Sequence, residues 1–197
     1  MTLITMPSTP SFKSSNWGIR RAVAIAESPF TGAQQAQVYS KAQWYATLTL
    51  PPMKRSLAVQ WQAFFMKLNG RGNTFLLGDP DGKTAMGDTP PSSVSVAASA
   101  AAGATTVNLT LGTGKTLNTG SYIQFGTGSD SRLHMVVDDN TGDGNVTIEP
   151  ALKAAITTST SADISSPQGV FRMDTNELTW DADEIKYGIS FSCSEAI

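Results

Sequence analysis

The sequence has one cysteine and one histidine in 197 residues. A single thiol cannot close an internal disulfide, so no disulfide framework holds this chain. A single imidazole leaves His-based triads and multi-histidine metal sites without a second histidine. Charge is scarce too: 15% of residues are Asp, Glu, Lys or Arg, against about 25% in ordinary globular domains. The formal net charge is -2, which argues against a nucleic-acid binder, where clustered Lys and Arg are the rule. No run of about 18 apolar residues occurs, so nothing reads as a membrane span. Met1 to Phe12 is rich in Thr, Pro and Ser and lacks a basic stretch followed by an apolar one, so no secretory signal is expected.

What is present is enough for a folded core. Hydrophobic residues make up 40% of the chain and all three aromatic types occur, while disorder needs few apolar residues and high net charge. Low charge with abundant Ser, Thr, Gly and Ala points to a β-rich protein that hides much of its surface in an assembly. Composition divides the chain into three zones. Breaks fall at Pro90-Pro91 and Ser165-Ser166-Pro167, where proline removes backbone donors and favours loops. The expected organisation is a discontinuous core domain, residues 1–88 and 168–197, with a separate β domain, 89–167, inserted into it.

In the first zone Trp17, Ile19, Val23 and Ile25 fall on one strand face, with Arg21 the exception. Ser28-Pro29-Phe30-Thr31-Gly32 reads as a turn. Trp44, Ala46, Leu48 and Leu50 alternate with polar neighbours as a second strand, ended by Pro51-Pro52. A helix is predicted from Lys54 to Asn69, because Leu57, Trp61, Phe64, Phe65 and Leu68 recur on one face. Gly70 is its predicted C-cap, and a short strand over Asn73 to Leu77 follows. The middle zone reads as short strands separated by Gly turns: Thr105 to Leu111, Ser121 to Phe125, Arg132 to Val137, Asn145 to Glu149 and Ser161 to Ile164. That pattern means a small barrel or sandwich. The Ala-rich stretch Val96 to Ala104 has no amphipathic face and is read as a linker or edge. In the third zone Val170, Phe171 and Met173 form one strand piece and Glu177 to Trp180 another. A last strand carries Ile189, Phe191 and Cys193 on its apolar face.

Several motifs imitate chemistry. Gly112-Thr113-Gly114-Lys115-Thr116 resembles a phosphate loop, but the glycine required five positions before the Gly-Lys pair is Leu109, and no helix follows. A hairpin turn is expected there. Asp138 to Gly144 looks calcium-like, with Glu149 at the twelfth position, but the sixth position holds Asp143 instead of glycine. A hairpin tip is expected. His134 is read as structural or exposed, and Cys193 as a small buried apolar residue. Asp174, Glu177, Asp181, Asp183 and Glu184 form an acidic run, read as a solvated or partner-facing loop rather than a glycosidase pair. The stripe of Trp61, Phe64 and Phe65 is read as core. The sequons at Asn108 and Asn145 are read as chance. No catalytic, cofactor-binding or metal residue is assigned, and the protein is not expected to be an enzyme.

The remaining signal is a whole-chain pattern. It consists of Trp44-Tyr45-Ala46-Thr47-Leu48-Thr49-Leu50-Pro51-Pro52, the helix bearing Trp61 and Phe64-Phe65, Gly70-Arg71-Gly72-Asn73-Thr74-Phe75-Leu76-Leu77-Gly78-Asp79-Pro80, and Tyr187-Gly188-Ile189-Ser190-Phe191-Ser192. This order resembles the distal tail proteins of long-tailed bacteriophages, the group that includes the minor tail protein M of lambda-like phages. The middle zone, with Tyr122-Ile123-Gln124-Phe125-Gly126 and Arg132-Leu133-His134, is similar to an insertion carried by a subset of them. The resemblance implies a β-sandwich with one helix and a β-hairpin, built into a ring, usually a hexamer. Such a ring joins the tail tube to the hub or baseplate in the virion, after assembly in the bacterial cytoplasm. A near-neutral chain suits a lumen that passes DNA, since Lys and Arg would hold phosphates. The alternative is an adsorption module that binds a host-surface glycan through the insertion. That reading needs exposed aromatics, and the insertion offers only Tyr122 and Phe125, one of which alternation places inside. Replacing Thr89 to Ser166 by a Gly/Ser linker is expected to leave a folded core.

Overall fold

The computed structural model describes residues 1–182 and 186–196. The chain is mainly β with one helix: a β-sandwich core carrying the helix and a long hairpin, plus a second, nearly closed barrel-like sheet.

The hairpin comes first. Strands β1 (Ser14–Glu27) and β2 (Gln34–Thr49) pair antiparallel from Ser14↔Thr49 to Glu27↔Gln34, with a bulge between Arg21 and Val23. The turn at Ser28 to Gly32 lies where expected. The second strand begins well before the predicted Trp44 segment, because its first half buries nothing and so has no apolar alternation to read. Helix α1 (Arg55–Leu68) follows Pro51-Pro52 and buries Ala58, Trp61, Phe64, Phe65 and Leu68. Its N-cap, Lys54, makes no side-chain cap hydrogen bond, so burial of this face rather than capping holds it. The left-handed C-cap is Asn69 (φ 52°), not Gly70 as predicted. Asn tolerates this conformation, and Gly70 (φ 60°) continues it. Strand β3 (Phe75–Leu77) closes the first segment.

The chain then builds β4 (Ser95–Val96), β5 (Thr106–Thr110), β6 (Thr116–Leu117), β7 (Tyr122–Phe125), β8 (Arg132–Val136), β9 (Asn140–Thr141), β10 (Gly144–Glu149) and β11 (Ala162–Asp163). Six of these form one sheet in the order β11-β7-β8-β10-β5-β4, and β6 pairs with β9. The Ala-rich stretch is an edge: β4 pairs with β5, and Ala100 bridges Ile156. The last segment supplies β12 (Gly169–Met173), β13 (Trp180–Ala182) and β14 (Tyr187–Glu195). They complete the other sheet, β1-β2-β14-β12-β3, with β13 added to β14. The strand predicted over Glu177 to Trp180 lies later, because Trp180 is where pairing with Ile189 begins.

On the β1-β2-β14-β12-β3 sheet one face is apolar. Trp17, Ala46 and Cys193 share it by direct cross-strand pairing, as do Leu48 and Phe191. Toward β3 it is covered by α1: Phe65 packs edge-on against Phe191, centroids 5.0 Å apart, and Phe64 against Phe75 at 5.5 Å. The N-terminal segment completes this cover, with Phe12 packed against Trp61 at 5.9 Å and Thr2 and Ile4 bonded to Thr74. Toward β1 the same face is covered by the barrel-like sheet, whose Tyr122 and Leu133 join the cluster of Trp44 and Phe171. The barrel-like sheet has its own interior, including Leu109, Ile123, Val136 and Ile148.

Candidate functional site: the hairpin arm and the seam at its base

Past the pair Arg21↔Ala42 the hairpin leaves the body of the protein and becomes a two-stranded arm. Val23 faces Val38 and Ile25 faces Ala36 across the ribbon, on the strand face that carries Trp17 and Trp44 lower down. Ile25 is 66% exposed, Val38 65% and Phe30 at the tip 95%; Val23 and Tyr39 are also exposed. From Ala22 to Ser40 the only charged residue is Glu27. An isolated two-stranded hairpin is marginal in water, and its two edges carry unpaired backbone groups. The sequence pattern places Val23 and Ile25 on one strand face with Trp17 and Ile19. Among the described residues of the single chain nothing covers them.

At the base of the arm the two sheets meet along a polar seam. Arg21 on β1 pairs with Glu149 on β10 at 2.8 Å. Lys153 Nζ donates to the Ala42 carbonyl. Trp44 Nε1 donates to the Leu133 carbonyl at 2.8 Å, and the Trp44 amide to Glu195 Oε2 at 3.3 Å. Glu195 is only 2% exposed, and its Oε1 has no partner. Burial raises its carboxyl above the ordinary range, against the opposing pull of the Trp44 amide, Lys153 and Arg132. Lys153 is itself shifted down, chiefly by loss of water. His134 lies fully buried beside this seam, in contact with the Phe125 ring at 5.6 Å. Its Nδ1 bonds the Pro150 carbonyl at 2.7 Å and Nε2 has no partner. Burial lowers its pKa to about 4, with Lys153 and Arg132 adding to the shift and the Pro150 bond opposing it. The imidazole is therefore neutral at pH 7, and of the two expected placements, structural or exposed, the exposed one does not hold.

The other singled-out residues are tied up locally. Gly112 to Lys115 is a turn, but not a hairpin turn: the strands it joins, β5 and β6, pair with β10 and β9 respectively rather than with each other. The acidic loop explains this, because Asp143 Oδ1 accepts from the Leu111 and Gly112 amides, both at 2.8 Å, and draws the turn towards itself. Asp139 accepts from the Thr119 amide at 2.8 Å, which holds its carboxyl below its ordinary range. Two of the calcium-like carboxylates are thus committed to backbone amides. Among the described residues no group of three His, Cys, Asp or Glu gathers as a metal site. Asn108 and Asn145, both sequon residues, pair across β5 and β10 and bond side chain to side chain at 3.1 Å. Cys193 is free and fully buried, and burial pushes its thiol up. In the acidic run Asp174 accepts from Ser194 Oγ, Glu177 and Asp181 are exposed, and Asp183 and Glu184 lie outside the described residues.

Both aromatics of the insertion are buried, where alternation had placed one outside. Tyr122 is covered by Trp44 of the other sheet, centroids 5.9 Å apart, and Phe125 points into the barrel-like interior. A strand packed on both faces has no outside. Tyr122 also donates to Asp79 Oδ2 at 3.2 Å, and burial together with that carboxylate raises its pKa. Among the described residues no helix is long and apolar enough to cross a membrane. Comparison with protein-family models and with curated proteins finds no match to the chain.

Proposed function

We propose that this chain is a structural, non-enzymatic subunit of a bacteriophage tail tip, one member of a ring that connects the tail tube to the hub or baseplate. The observation that carries this reading is the hairpin arm. A ribbon nearly free of charge, with Val23, Ile25, Val38 and Phe30 in water, gains most from insertion against another protein. Its edges offer a place for strand pairing, and its position at one corner of the molecule suits a head-to-tail contact. The whole-chain resemblance to distal tail proteins supplies the setting, the virion, and the usual copy number, six.

The test is the size and shape of the protein alone and mixed with the tail tube and hub proteins, by light scattering and electron microscopy. Closed rings are the expected result. A protein that stays monomeric alone, in the mixtures and inside purified virions overturns the reading.

A further inference from the structure

We propose that a cleft at one end of the barrel-like sheet binds a small hydroxycarboxylate, a molecule carrying a carboxylate and neighbouring hydroxyls. The inference stands apart from the ring reading, because every residue that lines the cleft lies in the insertion. The cleft encloses about 430 Å³, a size that takes a small ligand, and the mouth of a barrel is a usual place for one. It opens where β7 ends and β8 begins, and the segment that follows β10 forms its other wall. Phe125, Leu152 and Ile156 give it an apolar floor continuous with the barrel-like interior. Asp130, Arg132 and Lys153 bring charge to its sides.

The polar groups select the ligand. Arg132 bonds through Nη1 alone, to the Ser129 and Ser131 carbonyls, so the rest of its guanidinium is left to hold a carboxylate. Lys153 gives one of its three protons to the Ala42 carbonyl. The two cations also repel. After loss of water, Arg132 lowers the pKa of Lys153 while Glu195 opposes from the seam, and both cations act on His134 in the same direction. A carboxylate between Arg132 and Lys153 relieves that repulsion. The acceptors ask for something more. His134 lines the cleft too, and its Nδ1 must carry the proton because it bonds the Pro150 carbonyl. Nε2 is thereby a buried lone pair with no partner, costly unless a donor meets it. The Asp130 carboxylate likewise only accepts. A bare oxyanion such as sulfate offers these acceptors no donor, and a neutral sugar leaves the cations unpaired. A carboxylate with hydroxyls beside it answers both. His134 is covered, so a hydroxyl reaches Nε2 as the opposite wall yields. From Thr157 to Thr160 that wall bonds only to itself among the described residues.

The experiment uses the full chain and follows its imidazole by nitrogen-15 NMR, which reads one residue because His134 is the only histidine. D-Glucuronate at millimolar concentration is expected to move the Nε2 signal saturably, as a lone pair gaining a donor does. Glucose and acetate each carry half of the chemistry and should bind at least about tenfold more weakly. Arg132→Gln should weaken glucuronate by about tenfold. Ala155→Trp, at an exposed position of the wall, should fill the cleft and abolish binding, and it keeps the test open if Arg132→Gln does not fold. A glucuronate-capped oligosaccharide binding more tightly than the free acid supports a chain end as the source, and equal binding supports a free acid. No saturable movement overturns the proposal. So does an affinity for acetate or glucose equal to that for glucuronate, or binding that survives Ala155→Trp unchanged.

Discussion

Trp61 and Phe64 are the side chains through which α1 is held, so they are where a single substitution should cost most. Each is buried and each touches other rings: Trp61 meets Phe64 at 5.9 Å and Phe191 at 6.3 Å. Trp61→Ala and Phe64→Ala are each expected to lower stability by about 3–5 kcal/mol, through lost burial and the cavity left behind. Lys67→Ala, on the exposed face, should cost under about 0.5 kcal/mol. Urea unfolding compares the three, and equal losses would mean the helix buries a different face. His134 sets a pH dependence. The unfolded chain protonates it near pH 6.5, while the folded protein resists until about pH 4. Between those values the unfolded state binds more protons, so stability falls as the pH falls. At about 1.4 kcal/mol for each tenfold change the loss reaches about 3 kcal/mol by pH 4. His134→Gln should flatten this slope. Glu195 acts in the opposite sense. Its raised folded pKa means that stability is lost as the pH rises through that value. Glu195→Gln should therefore stabilise the protein at pH 7, with the gain vanishing below about pH 4.3, where the carboxyl is protonated in both states. Denaturant midpoints at pH 4, 5 and 7 separate the two groups, and a Glu195→Gln loss at pH 7 would show that the Trp44 amide bond and the nearby positive charge of Lys153 and Arg132 outweigh its burial.

At the scale of elements, legibility followed burial. The helix could be read because Leu57, Trp61, Phe64, Phe65 and Leu68 face one way and a sheet lies beneath them. The last strand could be read because Ile189, Phe191 and Cys193 face that same core. The first half of β2 could not, because Gln34 to Lys41 face water on both sides and carry no alternation. β6 and β9 could not either: each is two residues long, and their pairing is set by Asp143 and by the Lys115 carbonyl, which accepts from the Gly142 amide, rather than by side-chain period. The polar seam was invisible for a related reason. Arg21 and Glu149 are 128 residues apart in sequence, and no local pattern joins them. The arm is thus an element whose sequence is legible only as a strand pair, while its purpose lies outside the chain. Cutting it back tests this. Joining Val23 directly to Val38 through Asn-Gly keeps a cross-strand pair and supplies the favoured two-residue turn. The shortened protein should unfold within about 0.5 kcal/mol of the parent, since the removed residues bury little. It should no longer assemble. A large drop in monomer stability would mean that the arm packs on its own body instead.

For the whole molecule the open question is whether the insertion and the rest are two folding units or one. β3 ends at Leu77 and β12 begins at Gly169, and these two residues face each other across an antiparallel pair. The host chain therefore leaves and returns at neighbouring points, the arrangement in which inserted domains are tolerated. The crossing is tight: a Cβ on Gly78 would collide with the Pro167 carbonyl. Against separability stands the seam. Leu133 and Tyr122 belong to the apolar cluster of the other sheet, the Trp44 indole donates to Leu133, and the Gln168 amide donates to Gln124 Oε1 at 2.8 Å. Replacing Thr89 to Ser166 with a Gly/Ser linker leaves α1 and its whole aromatic cover in place, because Trp61, Phe64, Phe65, Phe75 and Phe191 all come from outside the deleted segment. What it uncovers is the other end of the same face, around Trp44 and Phe171. The expected product is a folded core, weakened by about 3–5 kcal/mol, the scale of one large core truncation. The arm lies outside the deletion, so ring assembly should persist. Thermal unfolding and light scattering of the deletion protein decide the matter. A sharp transition at lower temperature, with rings still forming, places the boundaries near 88/89 and 167/168. An insoluble product, or a compact one with secondary structure but no fixed tertiary packing, would show that the two sheets share a single core across the Trp44 seam.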